Sequence, residues 1–380
     1  MKLLSDAQDV FTRNVNPALG DVPAYVPGPT AAAIAADIGI PPAHLVKLSS
    51  NEAPLGPSPA VREALRDIAA GDELHRYPSP DMSDLREAIA ASVDLDPDQV
   101  MLSDGSSETW PVIVRAFSQV GDGVLALEPS LRSYQQIAVV QERTPQVVRL
   151  DPPFEVEVGT VLAGVTDRTR VVFISTPNNT TSLALSLDSL REIAAGASDA
   201  VLVVDEHYIE AVPDYKRRTA VQLLGEVPNL IVTRTFSKMY GLAGLRVGYA
   251  AGPPEAIATL RKARSLWAVS LPAKVAAMAA IGDEEHLTLN IQTTAAGRSQ
   301  LLAGLSAWPE VDIAGEPEGG FILFRVEGQT GEEVASSLLQ DGIMVRADLA
   351  EGFVRVSVGT QGQNARFLAT LGRIISGRQA

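Results

Sequence analysis

The chain has 380 residues, 46% of them hydrophobic, which is enough for a large buried core and for two domains or one large α/β unit with an appendage. Its formal charge of −15 argues against nucleic acid or an anionic membrane as a partner, while a few local arginines can still favour an anionic substrate. Cysteine is absent, so disulfides and thiolate metal sites are excluded. The first six residues lack a sustained apolar stretch and a cleavage pattern. No run of about 18 apolar residues occurs, so the expectation is a cytoplasmic protein without a membrane span.

Residues 1 to about 45 are rich in proline and glycine, with one helix-like piece at 30–38. Strand-like and helix-like runs then alternate. A strand-like run at 99–102 leads into the turn Asp104-Gly105-Ser106-Ser107-Glu108 and an expected helix at 109–118. The run 124–127 precedes an expected helix at 132–141, and 170–174 precedes one at 187–195. Further apolar runs at 201–204 and 230–232 follow. This alternation predicts an α/β fold with a mostly parallel sheet and helices on both faces. The last hundred residues read differently, with a helix at 273–281 and short strands at 320–324 and 353–358, and predict a smaller α+β domain packed with the N-terminal segment. The expected division is a large domain at 46–275 and a small one formed by 1–45 and 276–380.

The chemistry concentrates where strand-like runs end. The run 230–232 delivers Thr233-Arg234-Thr235-Phe236-Ser237-Lys238, with Arg246 eight residues beyond Lys238. Lysine forms Schiff bases with aldehydes, and pyridoxal phosphate is the common aldehyde cofactor. Ser237 and Arg246 suit its phosphate. Taken alone, Lys238 reads equally as a solvated surface lysine. The run 201–204 ends in Asp205, an acid placed to pair with a pyridinium nitrogen, with Tyr208 three residues on. The run 171–174 leads to Asn178-Asn179, of which Asn179 is the chosen partner of the ring's phenolic oxygen. At 104–108, small residues at a strand-to-helix turn suit a phosphate, although ordinary capping explains that turn by itself. Trp110, just beyond it, reads as a core residue more readily than as a cofactor contact. The order phosphate turn, Asn, Asp, Lys carries the argument.

These segments resemble the fold-type I pyridoxal-phosphate aminotransferases, class I and II, and within them the histidinol-phosphate and aromatic-amino-acid aminotransferases. The resemblance runs from Tyr25-Val26-Pro27-Gly28 through Asn51-Glu52-Ala53-Pro54-Leu55-Gly56, Arg76-Tyr77-Pro78 and Asp205-Glu206-His207-Tyr208 to the Lys238 segment and Arg355-Val356-Ser357. It implies a seven-stranded, mostly parallel sheet in the large domain and a homodimer with shared active sites. It implies that Lys238 holds the cofactor as a Schiff base and moves the substrate Cα proton. Asp205 would pair with the pyridine nitrogen, and Asn179 and Tyr208 with the phenolic oxygen. Ser106, Ser107, Ser237 and Arg246 would hold the phosphate, joined by Tyr77 from the neighbouring subunit. Leu131 would face the ring. Arg355 would clamp the substrate α-carboxylate, Arg346 would handle its distal end, and Asn51 and Tyr25 would line the pocket.

Three departures stand out. The usual Asn-Asn-Pro-Thr-Gly reads Asn178-Asn179-Thr180-Thr181-Ser182, which predicts a looser turn. Leu131 replaces an aromatic ring. His207 stands where a small residue is usual, as an extra acid/base or as a structural group. The implied reaction is amino transfer from an L-amino acid or amino-alcohol phosphate, histidinol-phosphate-like or aromatic, to a 2-oxo acid. The departures keep open a cyclase, elimination enzyme or oxidase on the same cofactor, and a non-catalytic regulator is a third reading. His44, His75, His207 and His286 have no metal-ligand spacing, so no metal is expected.

Overall fold

The structure is a computed structural model describing residues 10–22 and 30–377. Twelve strands occur among these residues, in three sheets. The large sheet contains β2 (Val100–Ser103), β3 (Gly123–Glu128), β4 (Thr144–Arg149), β5 (Thr169–Ser175), β6 (Val201–Asp205), β7 (Leu230–Thr235) and β8 (Gly248–Ala251). Their order across the sheet is β2-β8-β7-β6-β5-β3-β4. Only β8 runs antiparallel to its neighbours; the other six share one direction.

Central strands are apolar along their whole length because helices cover both faces. Successive residues alternate between two cores, as a pleated strand requires. Leu125, Val172, Ile174, Leu202, Val204 and Val232 join one cluster. Val124, Val171, Phe173, Val203 and Ile231 join the other. The strand β4 escaped sequence reading because it carries no apolar run and contains Pro145. Proline lacks the ladder donor and is tolerated here because β4 is the sheet's edge.

The remaining strands are β1 (Val46–Lys47), β9 (Val311–Ile313), β10 (Phe321–Val326), β11 (Ile343–Met344) and β12 (Val354–Ser357). The order β12-β10-β9 forms an antiparallel sheet, and β1 pairs in parallel with β11. Helices Gly331–Gln340, Gln361–Ser376 and the long Glu284–Leu305 close a separate core around Ile322, Phe324, Leu338 and Phe367. Val46 and Leu48 pack in this core, and Ser49 and Asn51 remain bonded to Arg355 and Ser357 of β12. At the other side, helix Leu271–Gly282 contributes Ala273, Ala276 and Ala277 to the large core, so it lies wholly with the large sheet.

Candidate active site

Strands β2, β5, β6 and β7 end on the same edge of the sheet, and the turns leaving them converge there. After β2, Gly105 adopts a φ of 77° and the helix Ser106–Phe117 begins at once, three residues earlier than the sequence suggested. Glycine is required twice over at this point. Its backbone is left-handed, and a Cβ would run into the guanidinium of Arg246. Arg246 donates from Nη2 to Ser107 Oγ and from Nη1 to Ser237 Oγ, both at 3.1 Å. A guanidinium, two hydroxyls and the start of a helix carrying Ser106 therefore meet in an anion cradle.

Asp205, at the end of β6, is fully buried. Its Oδ1 accepts from Thr233 Oγ1 at 3.0 Å and its Oδ2 from Tyr134 Oη at 2.6 Å. Burial, then the Asp205 charge, pushes the Tyr134 phenol well above its ordinary value, so it remains a donor. Tyr134 is stacked on Phe173 at 4.5 Å between ring centroids and edge-on to Trp110, which fixes its direction. Trp110 in turn donates to Thr233 Oγ1 at 3.4 Å. His207 Nδ1 lies 2.8 Å from Asp205 Oδ2.

A second group surrounds Tyr208. Its hydroxyl accepts from Asn179 Nδ2 at 2.8 Å and Asn51 Nδ2 at 3.0 Å. Burial pushes this phenol up, but Lys238, His207 and Arg355 outweigh it and bring it down to about 8. Lys238 Nζ stands 5.1 Å over the Tyr208 ring and donates to the Ser50 carbonyl at 3.1 Å. Arg355 donates to the carbonyls of Asn179 and Ser49 at 2.8 and 2.9 Å. Its Nε is buried without a partner, an unspent donor that a ligand oxygen would satisfy. Burial lowers this guanidinium to about 10, which leaves it charged at neutral pH.

The structure thus brings together Lys238, Asp205, Tyr208, Asn179, Asn51 and Arg355, and beside them Ser106, Ser107, Ser237 and Arg246. Arg346 adjoins Arg355 through a backbone bridge, but its guanidinium is held by both carboxylate oxygens of Asp348 at 2.6 and 2.7 Å. Leu131 is half-buried and packs against the cluster containing Trp110, Tyr134 and Phe173. Tyr77 is 81% exposed and stacks on Trp267, apart from this group. Tyr25 lies outside the described residues. The turn after β5 is not loose. Asn178 Oδ1 accepts from the N–H groups of Thr180 and Thr181, and Ser182, at a φ of 67°, is bonded through its carbonyl to Glu318 N and through Oγ to Gly319 N. Sequence reasoning missed Tyr134, Thr233 and Asp348 as site residues. Tyr134 lay inside a segment already singled out, yet its role depends on a partner 71 residues away.

The description "Aminotransferase class I and II" belongs to the family model that matches residues 43–371. This chain belongs to the class I and II aminotransferases. Among curated relatives of this aminotransferase, the histidinol-phosphate aminotransferase of Methanothermobacter thermautotrophicus is 34% identical over 385 residues, covering 99% of this chain and 100% of that one. The histidinol-phosphate aminotransferase of Methanocella arvoryzae is 33% identical, covering 94% of this chain and 98% of the other. Among solved structures, histidinol-phosphate aminotransferase from Sinorhizobium meliloti in complex with pyridoxal-5'-phosphate superimposes with a TM-score of 0.84 at 22% identity, covering 96% of this chain and 98% of that one. The cofactor of this aminotransferase is pyridoxal 5'-phosphate. The residues present fit it, with an anion cradle at Arg246, a buried acid at Asp205 and an amine at Lys238. No helix among the described residues is long and apolar enough to cross a membrane.

Proposed function

We propose that this aminotransferase moves an amino group between a 2-oxo acid and an L-amino acid or amino-alcohol phosphate of histidinol-phosphate-like or aromatic character, as a homodimer in the cytoplasm. The observation that carries the reading is the convergence of Lys238, Tyr208, Asn179 and Arg355 on one buried point beside the Arg246 cradle. Bound pyridoxal phosphate supplies an electron sink for charge developing at the substrate Cα.

In this reading the chain's residues divide the work by charge. Arg246, Ser106, Ser107 and Ser237 bind the phosphate. Asp205, which accepts from Tyr134 and Thr233, faces the pyridine nitrogen and favours a proton there. Asn179 and Tyr208 donate to the phenolic oxygen. Lys238 would hold the cofactor through its Nζ, and as a free amine it would carry the proton to and from the substrate Cα. Arg355 binds a carboxylate through its two-pronged guanidinium, using the Nε that lacks a partner. Asn51 lines the substrate pocket, and Leu131 faces the ring. Tyr77 reaches the phosphate of the partner's site, which accounts for an exposed tyrosine stacked on a second exposed aromatic ring.

A donor-only reaction tests this reading. Protein loaded with pyridoxal phosphate is mixed with histidinol phosphate, phenylalanine or arginine, without an oxo acid. One stoichiometric turnover, with a keto or aldehyde product and the aminated cofactor, supports amino transfer. Repeated turnover of a single substrate would instead establish the second reading, a cyclisation, elimination or oxidation on the same site. That reading is favoured by His207, a titratable ring against Asp205, and by the aliphatic Leu131.

A further inference from the structure

His207 occupies an unusual place among the charged groups of the site. Its ring is buried and lies 4.0 Å from the Tyr208 ring. One nitrogen, Nδ1, is 2.8 Å from Asp205 Oδ2, although not along a hydrogen-bond direction. The other, Nε2, is 3.4 Å from Asn179 Nδ2, the amide nitrogen that also donates to Tyr208 Oη. One imidazole therefore reaches both the acid at one end of the site and the amide–phenol pair at the other. We propose that His207 is a positioning residue that joins these two ends, keeping a proton on Nδ1 toward Asp205 and titrating at Nε2 against the amide of Asn179.

The donor inventory supports this assignment. Asp205 is fully buried, and Tyr134 and Thr233 offer it only neutral donors. His207 is the neighbour of Asp205 that can add positive charge, and a proton on Nδ1 serves the carboxylate in either charge state of the ring. Nε2 is then left to exchange protons. When bare, it accepts from Asn179 Nδ2. When protonated, it needs an acceptor, and Asn179 meets that need by turning its amide oxygen inward, which also reverses the bond to Tyr208. A proton gained near Asp205 is thereby felt at Tyr208. The titratable groups facing His207 are Asp205 on β6, Tyr208 beside it, the buried Glu210 three residues on, which burial raises to about 7, and Lys238 after β7. Tyr134 faces the same carboxylate from the helix Ser133–Val140. Burial disfavours the imidazolium, but Asp205 and Tyr208 outweigh burial and hold it above its ordinary value.

The inference rests on the reading of Asp205, Asn179 and Tyr208 as cofactor contacts, and two measurements separate it from that reading. The first is nitrogen NMR of histidine-labelled full-length protein, with and without pyridoxal phosphate. The signal of His207 is assigned by its loss in His207→Phe. The expected result is an Nδ1 protonated across the neutral range and an Nε2 that titrates; a bare Nδ1 would overturn the proposal whether or not the cofactor binds. The second is the pH titration of the visible absorbance of the lysine-bound cofactor. In His207→Phe, which keeps the ring volume, the midpoint rises by about half a unit or more because Asn179 loses the group that aligns it. His207→Asn, which retains a donor toward Asp205 but lacks Nε2, shows the same rise. A merely structural histidine would lower the melting temperature in both variants and leave the midpoint in place, and that outcome would also overturn the proposal. Failure of the wild-type protein to take up pyridoxal phosphate would sink the cofactor reading and leave the nitrogen result to decide the role of His207.

Discussion

Arg346 and Arg355 sit directly opposite one another, each backbone N–H donating to the other's carbonyl, at 3.1 and 2.7 Å. Two guanidinium side chains on paired residues repel each other, and Arg346 adds to burial in lowering the proton affinity of Arg355. The structure relieves this differently for each. Arg355 is buried on two carbonyls, whereas Arg346 is held by both oxygens of Asp348. The hydrogen bond from Arg346 holds the Asp348 carboxyl below its ordinary range. In the proposed role of Arg346, Asp348 competes with a distal anion of the substrate.

Replacing Asp348 by alanine is expected to raise kcat/KM for a donor carrying a distal phosphate or carboxylate by about threefold to tenfold relative to phenylalanine, the scale of one exposed charge-assisted bond. Arg346→Ala reverses the preference. Equal effects of Asp348→Ala on both donors would show that Arg346 does not face the substrate.

Lys238→Ala removes the amine proposed to bind the cofactor covalently. The variant is expected to retain pyridoxal phosphate only reversibly, to lose the absorbance of the lysine-bound form, and to slow by about a thousandfold or more, as expected for loss of a positioned proton carrier. Retention of that absorbance would place the covalent bond on another lysine.

Gly105→Ala places a methyl group against the Arg246 guanidinium at a left-handed backbone position. A cost of at least about 1 kcal/mol in stability follows from the backbone alone. Displacement of Arg246 adds a fall of about tenfold or more in cofactor affinity, read by equilibrium dialysis. A variant with wild-type affinity would detach the cradle from cofactor binding.

Tyr208 carries the pH dependence that is simplest to isolate. Its folded pKa of about 8 lies below the ordinary value of 10, so folding favours the phenolate relative to the unfolded chain. The stabilisation is fully present above the unfolded value and is lost as pH falls through the folded one. In the cofactor-free protein, the stability of wild type relative to Tyr208→Phe is expected to rise between pH 8 and 10, alongside a phenolate absorbance change near 8. A flat difference over that range would remove the charge coupling to Lys238, His207 and Arg355.

Tyr77 acts across subunits in the proposed dimer. Lys238→Ala and Tyr77→Ala chains, each impaired alone, are expected to recover activity when unfolded and refolded together. Random pairing makes half the dimers mixed, each with one intact site, so about a quarter of wild-type activity returns. Absence of recovery would confine Tyr77 to its own subunit.

Much of the site was legible in the chain because its parts end strands. Asp205 and Lys238 each follow an apolar run, and a parallel sheet delivers such residues to one edge. Helix starts were less legible. Reading the turn at 104–108 as a loop delayed the helix to 109, whereas the φ of Gly105 lets it begin at Ser106. Strand β4 was invisible because an edge strand needs no apolar run.

By itself the sequence pointed to the cofactor and the α/β frame and offered Lys238 as the candidate amine, through the order of its motifs, the resemblance they carry and the period of buried side chains. Tertiary structure decided the neighbours that set the charges. Tyr134 reaches Asp205 across 71 residues, and Arg355 meets the Ser49 carbonyl across 306. Such contacts depend on how the sheet stacks its strands and how the small unit folds back over the sheet's edge, so no local pattern specifies them. The opposition of Arg346 to Arg355 and the bridging place of His207 belong to the same class: the residues were visible in the chain, but their partners were fixed only by packing.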